Sequence, residues 1–297
     1  MSVSRETPKI VGIRRLKAGM VKPAHTRVLT VANQKGGVGK TTSAVNMAAA
    51  LAMGGLKVLV IDLDPQGNAS TALGVDHHEA ELNGMYEVLI DGAPLTDVIV
   101  KVPGFDQLEC APATLDLAGA EIELVPMVAR ENRLRRAVES LLKMSKTQES
   151  EGIGTRYDYI FIDCPPSLGL LTLNALVAAD ELFIPIQCEY YALEGLSQLL
   201  NTVRLVTEHL NPQLNLSTIL LTMFDGRTRL ANDVANNVRE HFPAEVLTAT
   251  IPRSVRLSEA PSYGQTVMTY DPLSTGAIAY LTAAREMADR AGASHEQ

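Results

Sequence analysis

The sequence predicts an α/β fold, a single doubly wound, mostly parallel sheet flanked by helices. Short aliphatic runs recur along the chain, each too short for a helix and apolar on both faces. Helix-length segments separate them, which is the pattern of strands linked by crossover helices. Composition agrees: 46% of the 297 residues are apolar but only 4% are aromatic. Such a balance suits buried aliphatic strands between helices better than an aromatic-rich β-sandwich. The length suffices for one large core, and no internal repeat divides it.

In chain order, residues 1–26 read as a basic, flexible extension and 27–297 as one folded domain. The extension carries Arg5, Lys9, Arg14, Arg15, Lys17 and Lys22 against a single acid, Glu6. It reads either as a solvated tail or as an auxiliary contact to an anionic polymer. The expected strands are Val28–Ala32, Val58–Leu63, Tyr157–Ile162, Leu182–Ile186 and Ser217–Thr222. The expected helices include the Ala-rich stretch Thr41–Met53 and Leu193–His209. The polar segment 146–156, KTQESEGIGTR, reads as a surface loop.

Charge and cysteine content narrow the function. With 34 acidic against 26 basic side chains the net charge is −8, and the pI near 5.3 excludes a globally basic nucleic-acid binder. It leaves a local basic patch open. Cys110, Cys164 and Cys188 are too few and too scattered for a disulfide framework or a two-pair zinc site. They fit a reducing, cytosolic setting, with Cys164 a small apolar filler. No apolar run is long enough for a membrane span. The pair His77 and His78 reads as a solvated loop feature.

The most informative stretch is NQKGGVGKTT, residues 33–42, between a buried strand and a helix. This is the context of a phosphate loop. Gly36, Gly37 and Gly39 let the backbone turn tightly and aim its N–H groups at phosphate oxygens, with Val38 between them. The helix that follows points its positive end at the same anion. Lys40 is placed to neutralise β- and γ-phosphate charge, and the Thr41 hydroxyl to ligate Mg²⁺, with Thr42 beside it. Gln34 stands where the general motif has glycine, and a second lysine, Lys35, guards the entrance.

KGGVGKT resembles the deviant Walker A motif of the ParA/MinD class of P-loop ATPases. The resemblance implies that Lys35 reaches across a dimer interface to the partner's nucleotide, so that ATP bridges two subunits. DLDPQGN, residues 62–68, resembles the switch I segment of that class. It implies that Asp64 positions or deprotonates the attacking water and that Asp62 supports the Mg²⁺ site. FIDCPPS, residues 161–167, resembles Walker B, which gives Asp163 to Mg²⁺. From Arg27 to about Arg290 the chain is similar to chromosomal, Soj-type ParA partition ATPases. LAGAEIELV, PIQCEYYALEGLSQLLNTV and IPRSVRLSEAPSYG carry that likeness outside the loops.

The family implies a cytoplasmic, nucleoid-associated ATPase that forms a homodimer with ATP. Such a dimer binds double-stranded DNA without sequence preference, and a ParB-type centromere-binding protein stimulates its slow hydrolysis. By resemblance Arg227 and Arg256 touch DNA and Pro252 packs near the adenine. Composition alone predicts no patch, since residues 201–270 hold six arginines against six acids. Three other readings compete. A MinD-like, membrane-associated ATPase for division-site positioning shares the loop chemistry. Its terminal amphipathic helix is basic and bulky, whereas AREMADRAGASHEQ carries Glu286, Asp289 and Glu296 and no aromatic residue. An iron–sulfur reductase needs interface cysteines in a motif that Cys110 and Cys188 do not match. A non-catalytic DNA scaffold leaves Asp64 without a task.

Overall fold

The computed structural model describes residues 12, 16, 18–75, 83–190 and 192–293. Its strands are β1 (Arg27–Val31), β2 (Val58–Asp62), β3 (Val100–Lys101), β4 (Leu108–Ala111), β5 (Tyr159–Asp163), β6 (Glu181–Gln187), β7 (Asn215–Phe224) and β8 (Val246–Pro252). They form one sheet in the order β3-β4-β2-β5-β1-β6-β7-β8. Neighbours pair in parallel except β3 with β4. The doubly wound, mostly parallel sheet expected from the sequence is the fold observed.

Helices cover both faces. On one side lie α1 (Lys40–Met53) and the C-terminal α10 (Thr275–Ala293); the apolar cluster there includes Leu51, Val60, Phe161 and Ala284. On the other side pack α3 (Leu117–Leu124), α4 (Arg133–Ser150), α5 (Leu170–Ala178), α6 (Ala192–His209) and α7 (Arg229–His241), around Leu59, Ile160, Ile162 and Ile184. Strands β2 and β5 are buried along their whole length, which explains their unbroken apolar runs. Each fully buried Val, Leu or Ile contributes about 1.5–3 kcal/mol over exposure, so both faces hold the sheet firmly. Short α2 (Asn68–Ala72), α8 (Val255–Glu259) and α9 (Val267–Tyr270) sit in the connections.

Register positions the chemistry. Asp163 pairs with Val31 on one side and with Asp62 on the other. The ends of β2, β5 and β1 therefore lie level, and three loops leave the same carboxyl edge side by side. That edge is where ligands bind in open α/β sheets.

Two expectations change. Segment 146–156 is not all loop: α4 runs to Ser150, with Leu134, Val138, Leu141 and Ser145 on its buried stripe. The polar tail of that stripe hid the helix, which ends only before Gly152 at φ 71°. Nor does the whole of 1–26 hang free. Met20 is buried, Lys22 lies 3.8 Å from Asp158, and Arg285 donates to the Ala18 carbonyl at 2.7 Å. Arg5, Lys9, Arg14, Arg15, Lys17, His77 and His78 lie outside the described residues.

Candidate active site at the carboxyl edge of the sheet

The phosphate loop is pinned from two neighbouring strands. Asn33 donates its amide to the Pro185 carbonyl of β6 at 2.8 Å and accepts the Lys35 N–H at 3.0 Å. Thr222 of β7 donates to the Val38 carbonyl at 2.8 Å. Gly37 and Gly39 have φ of 74° and 88°, a region that a side chain would strain. No side chain caps the start of α1, and its first turn holds no acid. The leading amides are thus free to receive an anion, and the helix dipole favours one.

A cleft of about 470 Å³ opens over this turn, lined by Gly36, Gly37, Lys40, Thr41, Asp64 and Gln66 among others. A second cleft, about 530 Å³, adjoins it and contains Pro252. The two share Gly39, Thr42, Met223 and Pro261. The first holds the glycine turn with Lys40 and Asp64, and the second adds Ile251, Pro252, Val255 and Leu257 beside Arg253, so the two together can take phosphates and a base. Met223, at φ 49°, is a strained non-glycine residue at the junction.

Lys40 reaches back to the Lys35 carbonyl at 3.3 Å. Burial lowers its pKa, opposed by the charges of Asp163, Cys164 and Asp64. Asp163 is the most telling carboxylate. Both of its oxygens are buried and neither has a hydrogen-bond partner. Burial pushes its pKa well up, and the charge of Asp62 pushes it further. The Thr41 hydroxyl beside it offsets a part without reaching bonding geometry. An orphaned buried carboxylate next to a threonine hydroxyl fits a hydrated Mg²⁺, which takes one or two protein oxygens and shares the rest with phosphate and water.

Asp62 is differently employed. One oxygen accepts the Asp64 N–H at 3.1 Å; the other accepts the Ser70 N–H at 2.8 Å and the Ser70 hydroxyl at 2.7 Å. The strand ends at Asp62, which turns inward and holds the turn that carries Asp64. Asp64 lines the cleft and accepts the Gln66 N–H at 3.0 Å.

Lys35 does not line either cleft. Its ammonium donates to Glu189 at 2.6 Å, at the end of β6. Glu189 also meets Arg253 at 3.5 Å and receives a short hydrogen bond from Gln187. The Lys35 hydrogen bond holds the Glu189 carboxyl below its ordinary range. Sequence reasoning did not find Glu189, Ser70 or Thr222; only the segment PIQCEYYALEGL gave any signal, and it assigned no role.

The two arginines rise from neighbouring strands, Arg227 after β7 and Arg256 on α8 after β8. Arg227 forks onto Asp225 with two bonds of 2.8 Å. Arg256 lies between Glu259 at 2.8 Å and Asp271 at 3.3 Å. They face solvent, each beside its own carboxylates.

With this geometry in place, comparison with known proteins is decisive. Residues 26–216 match the model of an AAA domain family. The chain is 52% identical to the sporulation initiation inhibitor protein Soj of Bacillus subtilis over 262 residues, covering 88% of this chain and 98% of Soj. The chain belongs to the Soj/ParA family of chromosome-partitioning ATPases. The chromosome partitioning protein ParA of Caulobacter vibrioides is 48% identical, over 89% of this chain and 94% of its own length. Among solved structures, one described as cobyrinic acid a,c-diamide synthase from Mycobacterium smegmatis, with bound ATP analog and magnesium, superimposes with a TM-score of 0.70 at 39% identity. It covers 89% of this chain and 93% of that one. The Soj/ParA chain described here has three free, buried cysteines, and none of its described helices is long and apolar enough to cross a membrane.

Proposed function

We propose that this chain is an ATP-dependent, dimerising ATPase that binds double-stranded DNA without sequence preference and segregates chromosomes or plasmids with a ParB-type partner. Its place is then the cytoplasm, on the nucleoid. The observation that carries the reading is the position of Lys35. It guards the phosphate loop yet points out of the cleft, while Lys40 already serves the phosphates from within. A lysine so placed suits a nucleotide held by a second subunit.

ATP is the substrate. Its phosphates settle on the amides of Lys35–Thr42 and the start of α1, with Lys40 against the β- and γ-oxygens. Thr41 and Asp163 would hold Mg²⁺, with Asp62 behind them; bound there, the ion offsets the charge that builds on the phosphates. Asp64, held by Asp62 and Gln66, orients a water toward the γ-phosphate and takes its proton. Pro252 flanks the base in the adjoining cleft. Lys35 of each subunit then completes the other's site, and the dimer doubles the arginine footprint for DNA through Arg227 and Arg256.

This reading is preferred over a MinD-like, membrane-associated one because α10 is committed elsewhere. Ala283, Ala284, Met287 and Ala288 are buried in the core, and Glu286 accepts the backbone N–H groups of Thr248 and Ala249 in β8. The deciding measurement is co-sedimentation with DNA in ATP, ADP and no nucleotide at two salt concentrations. Binding is expected with ATP only and to weaken with salt. Binding without regard to nucleotide overturns the switch, and lipid binding in place of DNA binding favours the membrane-associated alternative.

A further inference from the structure

Helix α2 turns two faces to two different tasks. Asn68, Thr71 and Ala72 line the phosphate cleft, at the i, i+3 and i+4 spacing of one helical face. Ser70 points the opposite way and is fully buried. Its hydroxyl donates to Asp62 at 2.7 Å and accepts the Ala113 N–H at 3.2 Å. Its own N–H donates to the same Asp62 oxygen at 2.8 Å. Ser70 is not among the residues that line the cleft, yet it is bonded to the carboxylate that holds them.

Of the hydrogen bonds that fix Asp62, the Ser70 hydroxyl and N–H supply those on one oxygen, and the Asp64 N–H, at 3.1 Å, the one on the other. Between these two anchors the chain closes on itself. The Asp64 side chain accepts the Gln66 N–H at 3.0 Å, and its carbonyl accepts the Gly67 N–H at 2.8 Å. The turn is thus a closed unit held at both ends by one buried carboxylate. Ala113 follows β4, whose Ala111 stands in register with Ile61 of β2, so the Ser70 hydroxyl also ties the unit to the next strand. A hydroxyl can donate to Asp62 and accept from Ala113 at once. Alanine there leaves a buried N–H without its acceptor and takes a strong bond from the carboxylate.

We propose that Ser70 is a positioning residue for hydrolysis, fixing the height and angle at which Asp64 meets the attacking water. The inference rests on the reading of Asp64 as the residue that handles that water. A carboxylate that must reach one particular proton tolerates little displacement, and a shift of about 1 Å can cost about 10²-fold. The phosphate loop is pinned separately, by Asn33 and Thr222, so nucleotide binding does not depend on Ser70.

The test is a double-mutant cycle in single-turnover phosphate release, with Ser70→Ala, Asp64→Ala and the two combined. Ser70→Ala is expected to slow hydrolysis by about tenfold or more, with affinity for a fluorescent ATP analogue and ATP-driven dimerisation as in the parent. In the Asp64→Ala background it should add nothing, because a residue that acts through Asp64 has no effect once Asp64 is gone. Ser70→Thr, which keeps the hydroxyl, should retain most of the rate. Without nucleotide, hydrogen exchange across residues 62–70 should quicken in Ser70→Ala, and the thermal midpoint should fall by about 2–4 °C. An unchanged rate in Ser70→Ala overturns the assignment, as does a full further loss on top of Asp64→Ala or an equal loss in Ser70→Thr. A rate loss matched by lost nucleotide affinity also overturns it, since that marks a loosened fold. If Asp64→Ala itself turns over normally, the reading of Asp64 falls and takes this inference with it. An inactive Asp64→Ala beside a normal Ser70→Ala sinks this inference alone.

Discussion

Lys35 and Glu189 form an ion pair of 2.6 Å that ties the entrance of the phosphate loop to the end of β6. Both side chains are two-fifths exposed, and Arg253 shares the same carboxylate. The lysine proposed to serve a second subunit is therefore held at home by its own chain.

Glu189→Gln should release it. An exposed pair is worth about 0.2–1 kcal/mol, so the dimer fraction at limiting ATP should rise by up to about fivefold. Analytical ultracentrifugation over an ATP series measures this, and a fall would mean that Glu189 assists dimerisation. The sign in pH follows from a lowered carboxyl pKa. The pair is complete above the ordinary carboxylate range and is lost as pH falls through the depressed value. Neutral buffers keep it closed.

Lys35→Ala and Asp64→Ala should separate assembly from chemistry. The first is expected to bind ATP but not dimerise or hold DNA. The second should dimerise and hold DNA while turnover drops by about 10²-fold or more. Phosphate release measured beside light scattering distinguishes them.

Asp163→Asn addresses the metal. Titration of a fluorescent ATP analogue with and without EDTA should show tighter binding with Mg²⁺ in the parent and no difference in the variant. Without nucleotide, replacing a buried carboxyl that has no partner should raise the thermal midpoint by about 2–4 °C. An unchanged EDTA response would take Asp163 out of the ion's shell.

Arg227→Glu and Arg256→Glu should each leave ATP-driven dimerisation intact. Each loses phosphate contacts in both subunits, so the salt dependence of DNA binding should flatten by about two contacts per dimer. Intact DNA binding in the double variant would move the interface elsewhere.

Asp225 offers a pH check. The two guanidinium hydrogen bonds from Arg227, and a third from its backbone N–H, lower its pKa from 3.8 to about 2. NMR titration of the side-chain carboxyl should find that midpoint, and Arg227→Ala should raise it part of the way back, the backbone N–H of residue 227 and the charge of Arg253 remaining. The pair persists above the unfolded value and is lost only as pH falls toward 2.

Much of the frame was legible in the sequence because five strands are buried on both faces and read as unbroken apolar runs. The remaining strands were hidden by their surroundings. β4 is four residues, LECA, with Glu109 turned to the Tyr157 hydroxyl, and β3 only two. β8 is an edge strand whose Thr248 faces solvent. The loop residues were legible because backbone geometry demands those glycines locally. The side chains that steady the site were not. Thr222 reaches Val38 across 184 positions and Lys35 meets Glu189 across 154, separations that no local pattern records.

The carboxylates beside Arg227 and Arg256 bear on how a polyanion would be held. Neither arginine is a bare charge: to take a phosphate, Arg227 must let go of Asp225, and Arg256 must loosen Glu259 or Asp271. Contact with DNA is then an exchange of one anion for another, and its strength is the difference between two similar bonds. A surface built on exchange grips lightly, and on release each arginine closes again on its own chain. Its hold depends on how many arginines trade at once, which ties residence on the polymer to the number of subunits assembled there.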